Sequence, residues 1–347
     1  LTLLLGTDWT VNRDRIFSMI SQDVAQKKGG RILMVPELIS HETERKLCEC
    51  AGDTTSRFAE VLTFTRLAKR VSDAVGFGAP ECLDSGGRLV AMASATRQLH
   101  SRLKAYAAVE TRPEFLNSLL DAVDEFKRCC ISPADLYEAS RKSQGSFAQK
   151  LEELSLILEA YDGLCARGKR DPRDQMTWLL EQLEDSNFAQ EHVFYIDGFP
   201  DFTRQHTAIL NHLILHSGHV VVSLNCDDID TDEPAFEKAG QTAGELLRLA
   251  KAAGVKTEIL RVDNSDSPVK QILPYLFRGK IDKNFQPGKA LQLCRTESVY
   301  QESHLAAERI TELVQAGCRY RDISIVCSDM AAYGNILNMV FDRYHIP

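Results

Sequence analysis

Two runs constrain this chain most: VFYID at residues 193–197 and VVVSL at residues 220–224. Each is continuously apolar and of strand length, the pattern of strands covered on both faces, as in a parallel sheet. Three similar runs open the chain, at residues 1–6, 31–35 and 60–64. Helix-like stretches at 13–27 and 41–49 lie between them, and another at 206–215 separates the two central runs. Strand–helix–strand spacing of this kind predicts an α/β fold with crossover helices. Residues 256–262 and 290–294 read as further strands.

Between about residues 87 and 183 the pattern changes to helix. Leu99, Leu103 and Tyr106 recur at turn spacing, as do Leu116, Leu119, Leu120, Val123 and Phe126, then Leu151, Leu154, Leu158 and Tyr161. Ser132 followed by Pro133 predicts a helix start, with the serine as cap and the proline in the first turn. Beyond the sheet, 302–314 reads as a helix feeding a strand at 323–327, the opening of a further domain. A chain of 347 residues accommodates two or three domains. It begins without Met and ends on Pro347, as expected of a piece of a longer protein.

Charge and cysteine usage narrow the function. The net charge of −8, from 41 Lys+Arg against 49 Asp+Glu, argues against a generally basic surface but leaves room for a local basic groove. The ten cysteines show no C-x-x-C pair and no Cys/His spacing for zinc or an iron–sulfur cluster, so free thiols in a reducing cytoplasm are expected. The apolar opening at residues 1–5 is too short for a secretory signal, and no run approaches a membrane span.

The first strand leads to a position where phosphate-binding loops occur. Such a loop, G-x-x-x-x-G-K-[ST], turns backbone amides onto phosphates, reaches them with the lysine and holds magnesium with the hydroxyl. Here Gly6 alone matches. Val11 replaces the second glycine, Asn12 the lysine and Arg13 the hydroxyl, while Asp8 and Trp9 stand inside the loop. Two readings follow: a divergent site that uses Arg13 on phosphates, weakly binding ATP and magnesium, or a dead loop that only turns the chain. A motor also needs acidic residues at the end of a second strand. Asp197 is placed to bind magnesium, but Gly198 follows it where a catalytic glutamate is expected. A lone strand-end Asp is otherwise a common helix cap.

Taken in order, RILMVPELISHETERKL (31–47), EVLTFTRLAKRV (60–71), FKRCCISPADL (126–136), KLEELSLILEAYDGL (150–164), FYIDGFPDFTRQ (194–205), TAGELLRLA (242–250) and YRDISIVCSDMAAY (320–333) resemble the AddB/RexB family, the B subunit of bacterial ATP-dependent helicase/deoxyribonuclease. The resemblance implies a RecA-like P-loop NTPase fold of superfamily-1 helicase type. Residues 1–86 and 184–288 would form the first RecA-like domain, 87–183 an all-helical insertion, and 289–347 the start of a second RecA-like domain. It implies a partner A subunit that carries the motor, DNA with single strands or duplex ends as the ligand, and a role in double-strand break repair. The family's nuclease domain and the cysteine ligands of its iron–sulfur cluster lie beyond the matched region. No nuclease activity and no resident cofactor is therefore expected here. The family usually keeps a recognisable phosphate loop in this subunit, from which this chain departs, whereas D-G-F in place of an acidic pair is usual for it.

The resemblance also suggests where DNA would touch. Phe64, Thr65 and Arg66 match a strand-end loop that grips single strands, with hydroxyl and guanidinium for phosphates and a ring for base stacking. Lys69 would add a phosphate contact, and Phe199 and Phe202 sit at another strand end. Ligands of open parallel sheets collect at that edge. Many family members carry Gln after Val-Pro-Glu and Trp three residues after the matching Arg, for scanning a recombination hotspot. Leu38 and Lys69 stand there instead. The plainer alternatives are that Phe64 is core, that Lys69-Arg70 is a solvated helix face and that Phe199 and Phe202 anchor their loop. Three functions remain open: a non-motor DNA-binding region, a divergent ATPase, and a module that only binds the A subunit.

Overall fold

Strands β1 (Thr2–Leu5), β2 (Arg31–Met34), β3 (Ala59–Leu62), β4 (Val193–Ile196), β5 (His219–Leu224) and β6 (Glu258–Arg261) form one sheet in the order β3-β2-β4-β5-β1-β6. Every pairing is parallel. This is a computed structural model, describing residues 1–76, 78, 81–107, 112–262 and 291–347. The chain divides into two units, residues 1–280 and 281–347.

The apolar strands are continuous in sequence because both sheet faces are covered. Leu4, Leu33, Val61, Tyr195 and Val221 point to one face, where Ile16, Phe17, Ile20 and Val24 of α1 (Trp9–Ala25) and Leu47 of α2 (Ser40–Ala51) bury them. Leu3, Leu5, Ile32, Met34, Phe194, Ile196, Val220 and Val222 point to the other. That face is covered by α3 (Phe64–Val75), α8 (Gln175–Glu184), α9 (Arg204–His216) and α10 (Glu237–Ala252). Neighbouring strands β1 and β5 therefore send their helices, α1 and α10, to opposite faces. Such a reversal opens a crevice at the strands' carboxyl ends.

Helices α4 (Ser85–Gln98), α5 (Pro113–Arg128), α6 (Pro133–Lys142) and α7 (Gly145–Arg167) pack around their own core of Met92, Leu116, Leu119, Leu120, Val123, Leu136, Ile157, Leu158 and Tyr161. Ser132 and Asp135 form a reciprocal capping box at the start of α6, with Pro133 in the first turn. The residues preceding α4 and following α7 run side by side. Leu83 N donates to Arg170 O at 2.8 Å, and Arg170 N to Glu81 O at 2.9 Å. At this neck Asp171, fully buried, accepts from Tyr161 Oη at 2.8 Å and Arg173 N at 2.9 Å, and faces Arg88 and Lys127 at 3.2 and 3.4 Å. These partners hold the Asp171 carboxyl below its usual range despite burial, which pushes the other way.

Four sequence expectations change. Helix α1 starts at Trp9 rather than Arg13, because Asp8 caps it and accepts from Thr10 N at 2.9 Å. Helix α4 ends at Gln98, so Leu99, Leu103 and Tyr106 belong to turns. The buried Glu153 carboxylate accepts there from the amides of Lys104, Ala105 and Tyr106. Leu179 and Leu183 of α8 pack into the sheet's core rather than the helical layer's. In the second unit, α11 (Val299–Gln315) packs on α12 (Met330–Tyr344) through Ala307, Ile310 and Val340. The strands expected at 290–294 and 323–327 do not form among the described residues: no described residue pairs with either segment, and Leu293 and Val326 are exposed. Residue 290, and the domain boundary expected at 288–289, lie outside the described residues.

Candidate functional site

The crevice at the carboxyl ends of β1, β4 and β5 holds a cavity of about 380 Å³, lined by Trp9, Asn12, Arg13, Ile39, Asp197, Phe199, Ser223 and Asn225 among others. The structure thus brings Asn12, Arg13 and Asp197 together, with Gly6 against Asn12. Only Gly6, Thr7 and Asp8 separate β1 from α1, and this short loop is closed on itself. Asp8 occupies the helix amino terminus, where a phosphate would sit, through Thr10 N and Thr10 Oγ1. Asn12 is buried and its Nδ2 donates to Gly6 O at 3.2 Å and Leu224 O at 3.3 Å. With its amide turned to donate, Asn225 reaches Gly6 O at 2.9 Å and Thr7 O at 3.1 Å. The loop therefore directs carbonyls inward. Gly6 has no alternative here, since a Cβ on it would stand 2.2 Å from Asn12 Oδ1 and 2.8 Å from Val262 O.

Behind the loop lies a buried ion pair. Arg13 Nε donates to Asp197 Oδ2 at 2.6 Å, with side chains 8% and 4% exposed. Ser223 Oγ donates to the other oxygen, Oδ1. The guanidinium also lies 4.8 Å from the centre of the half-exposed Trp9 ring. Both Asp197 oxygens are thereby engaged, and Arg13 supplies the positive charge a magnesium ion would bring. Gly198 adopts φ +81°, and a Cβ there would press on Ile39 at 3.0 Å, Pro36 at 3.3 Å and Arg13 Nη2 at 3.4 Å. A glutamate in that place would be strained and crowded. These residues do not fit a magnesium–nucleotide complex. Asn12 and Arg13 offer neither the lysine nor the metal-binding hydroxyl of a phosphate loop, and the strand-end carboxylate is already paired with Arg13.

The DNA candidates separate into two groups. Phe64 is buried, stacked on His206 (ring centres 4.0 Å apart, planes at 10°) and edge-on to Phe199 at 5.5 Å. Phe199 in turn meets Phe202 at 5.5 Å. The three rings expected to touch DNA thus form one cluster that joins the ends of β3 and β4 and packs on the sheet's core. His206 completes it. Burial pushes its imidazole down to about 4, so the ring is neutral and stacks as an aromatic. Thr65, Arg66 and Lys69, by contrast, are exposed on the first turns of α3. Arg70 bonds Glu60 at 3.2 Å and is not part of that exposed set. Leu38 is 99% exposed, just beyond the end of β2.

Asp8 as a cap, Ser223, Asn225 and His206 join the site without having stood out in the sequence. Ser223 sits inside an apolar run, where alternation gives no warning of a polar partner. The Thr-x-x-polar pattern at the starts of α3 and α9 is a usable signal: Thr63 Oγ accepts from Arg66 N and Thr203 Oγ from His206 N, each at 3.2 Å. Among the described residues no group of three His, Cys, Asp or Glu side chains is arranged to hold a metal, and no helix is long and apolar enough to cross a membrane.

Known proteins share this sequence pattern. Residues 4–273 match the family described as ADDB, N-terminal. The chain is similar to the B subunit of the ATP-dependent helicase/deoxyribonuclease of Clostridium acetobutylicum, with 27% identity over 95% of this chain and 30% of that protein. It is similar to the corresponding B subunit from Thermoanaerobacter sp. (strain X514), with 29% identity over 91% of this chain and 29% of the relative. That of Caldanaerobacter subterraneus subsp. tengcongensis is 27% identical over 91% and 28%. The chain spans about 30% of the length of these relatives. With a six-stranded parallel α/β unit and a family match over most of its length, the chain belongs to the AddB amino-terminal family.

Proposed function

We propose that this chain is a non-motor, DNA-gripping, helicase-like portion of a helicase–nuclease B subunit, acting with an A subunit on DNA ends during recombinational repair. In this reading the sheet is a RecA-like domain whose nucleotide site has been closed, and the second unit opens another RecA-like domain. One observation carries it: the buried Arg13–Asp197 pair, capped by Ser223, where a motor holds magnesium. A working P-loop enzyme needs a lysine, a metal hydroxyl and a catalytic base. This site has an asparagine, an arginine and a glycine.

Exposed Thr65, Arg66 and Lys69 support the DNA part, since phosphate contacts need accessible cations and hydroxyls. Fluorescence anisotropy with labelled oligo(dT), at several salt concentrations and with or without ATP and magnesium, tests the reading. Expected is salt-sensitive binding that ATP leaves unchanged. Binding that ATP strengthens or releases would argue for a divergent motor. No binding at all would favour a module that only holds the A subunit, a role to which exposed Val90, Tyr137 and Phe147 on the helical layer are suited.

A further inference from the structure

A second cleft, of about 220 Å³, opens where the helical layer meets the sheet, beside the neck. Thr65, Lys127, Arg128, Arg173, Gln175 and Gln205 are among its lining residues. The amino termini of α3 and α9 both reach it, contributing Thr65 and Gln205 from their first turns. Their threonine caps satisfy the amides of Arg66 and His206. The amides one position earlier, on Thr65 and Gln205, have no partner within their helices, as at any helix start. Two positive helix ends thus meet beside three cations.

The cations are not equally available. Arg88 and Lys127 keep only 11% and 9% of their side chains exposed and are committed to the carboxylates around Asp171. Arg173 and Arg128 are each more than half exposed. Arg173 Nε donates to Asp124 Oδ2 at 2.8 Å, and Arg128 Nη1 to Glu125 at 2.9 Å. The Arg128–Glu125 pair is exposed at both ends and therefore weakly held, whereas Asp124 is largely buried and only the Arg173 end of its pair faces solvent. If Arg173 leaves Asp124, that carboxylate is not orphaned, because Arg88 Nη2 bonds its other oxygen. The backbone of the arginine stays in place, with Gln205 Nε2 donating to Arg173 O at 3.4 Å. Because Arg88 also holds Asp124, Arg173 can change partners without leaving that carboxylate unpaired, and a phosphate oxygen can compete for it.

We propose that this cleft seats a phosphate group, with Arg173 and Arg128 turning from Asp124 and Glu125 to hold it and Thr65 and Gln205 completing the seat. The proposal rests on the DNA-binding reading and adds a specific phosphodiester position at the joint between the two layers. Asp171 keeps Lys127 and Arg88 in place, so the buried neck remains paired when Arg173 moves.

The test measures binding of labelled oligo(dT) by the 347-residue chain and by Arg173→Gln and Arg128→Gln, over a range of salt, with thermal unfolding as the check on folding. Each variant is expected to bind roughly three- to tenfold more weakly and to lower the salt slope by about 1, with unchanged unfolding. Inorganic phosphate, compared with chloride at equal ionic strength, separates the sources. Selective competition that is lost in Arg173→Gln identifies a seat for phosphate itself. Weakened variants without such competition identify a seat that needs the polymer. If the parent chain binds and both variants match it in affinity and slope, the seat is wrong while the DNA reading stands. If the parent chain does not bind, both fall together.

Discussion

At the scale of single residues, the closed loop at β1 depends on a charge pair and a glycine. Removing one partner from a buried ion pair leaves the other uncompensated, at a cost of about 3–5 kcal/mol. Arg13→Ala is therefore expected to destabilise the chain by about that much in urea unfolding, because Asp197 would keep only Ser223 as a partner. The double change Arg13→Met with Asp197→Asn should recover a large part of the loss. A single variant costing under about 1 kcal/mol would show that the pair is not buried as described. Gly6→Ala is expected to cost more than about 2 kcal/mol, since its Cβ meets Val262 O, a backbone atom, as well as Asn12. Loss of Gly6 matters in this chain for packing of the loop on Asn12, a different reason from the phosphate approach that makes glycine necessary in working loops.

At the scale of elements, the aromatic cluster between β3 and β4 changes the role of Phe64. Phe64→Ala is expected to destabilise by about 3–5 kcal/mol through lost burial. Arg66→Gln and Lys69→Gln should leave unfolding unchanged while weakening oligo(dT) binding. His206 gives the cluster a pH signature. Its folded value, about 4, lies below the ordinary 6.5, so the unfolded chain binds the proton first. Its stabilisation is complete above pH 6.5 and falls by roughly 2–3 kcal/mol as pH drops toward 4. His206→Phe should flatten that part of the stability–pH curve, and an unchanged curve would remove His206 as its cause. Much at this scale was legible in the sequence. The strands of the sheet, the helix at 206–215 and the Ser132-Pro133 start are local patterns of periodicity and capping. The stacking of His206 on Phe64 was not, because 142 residues of chain separate partners that only tertiary packing joins. The 323–327 run misled for the opposite reason. Its apolar pattern is real, but a strand exists only beside another strand.

At the scale of the whole molecule, the two carboxyl-end features of the sheet have different fates. In the proposed reading, the crevice at β1 and β5 keeps the position of a nucleotide site without its chemistry. The edge near α3, α9 and the neck keeps exposed cations and hydroxyls. Family membership was legible because ordered segments span nearly the whole chain. The arrangement behind the proposed closure was only half legible. Missing lysine and hydroxyl could be read directly, whereas the turn of Arg13 onto Asp197 required β1 and β4 to be brought to either side of β5. Whether the loop at Gly6 is closed to nucleotide is tested by ATP hydrolysis by the 347-residue chain in the presence and absence of oligo(dT). A closed site releases no phosphate above the protein-free background in either condition. Hydrolysis that DNA stimulates and that Asp197→Asn abolishes would contradict closure, and would make that loop a working site.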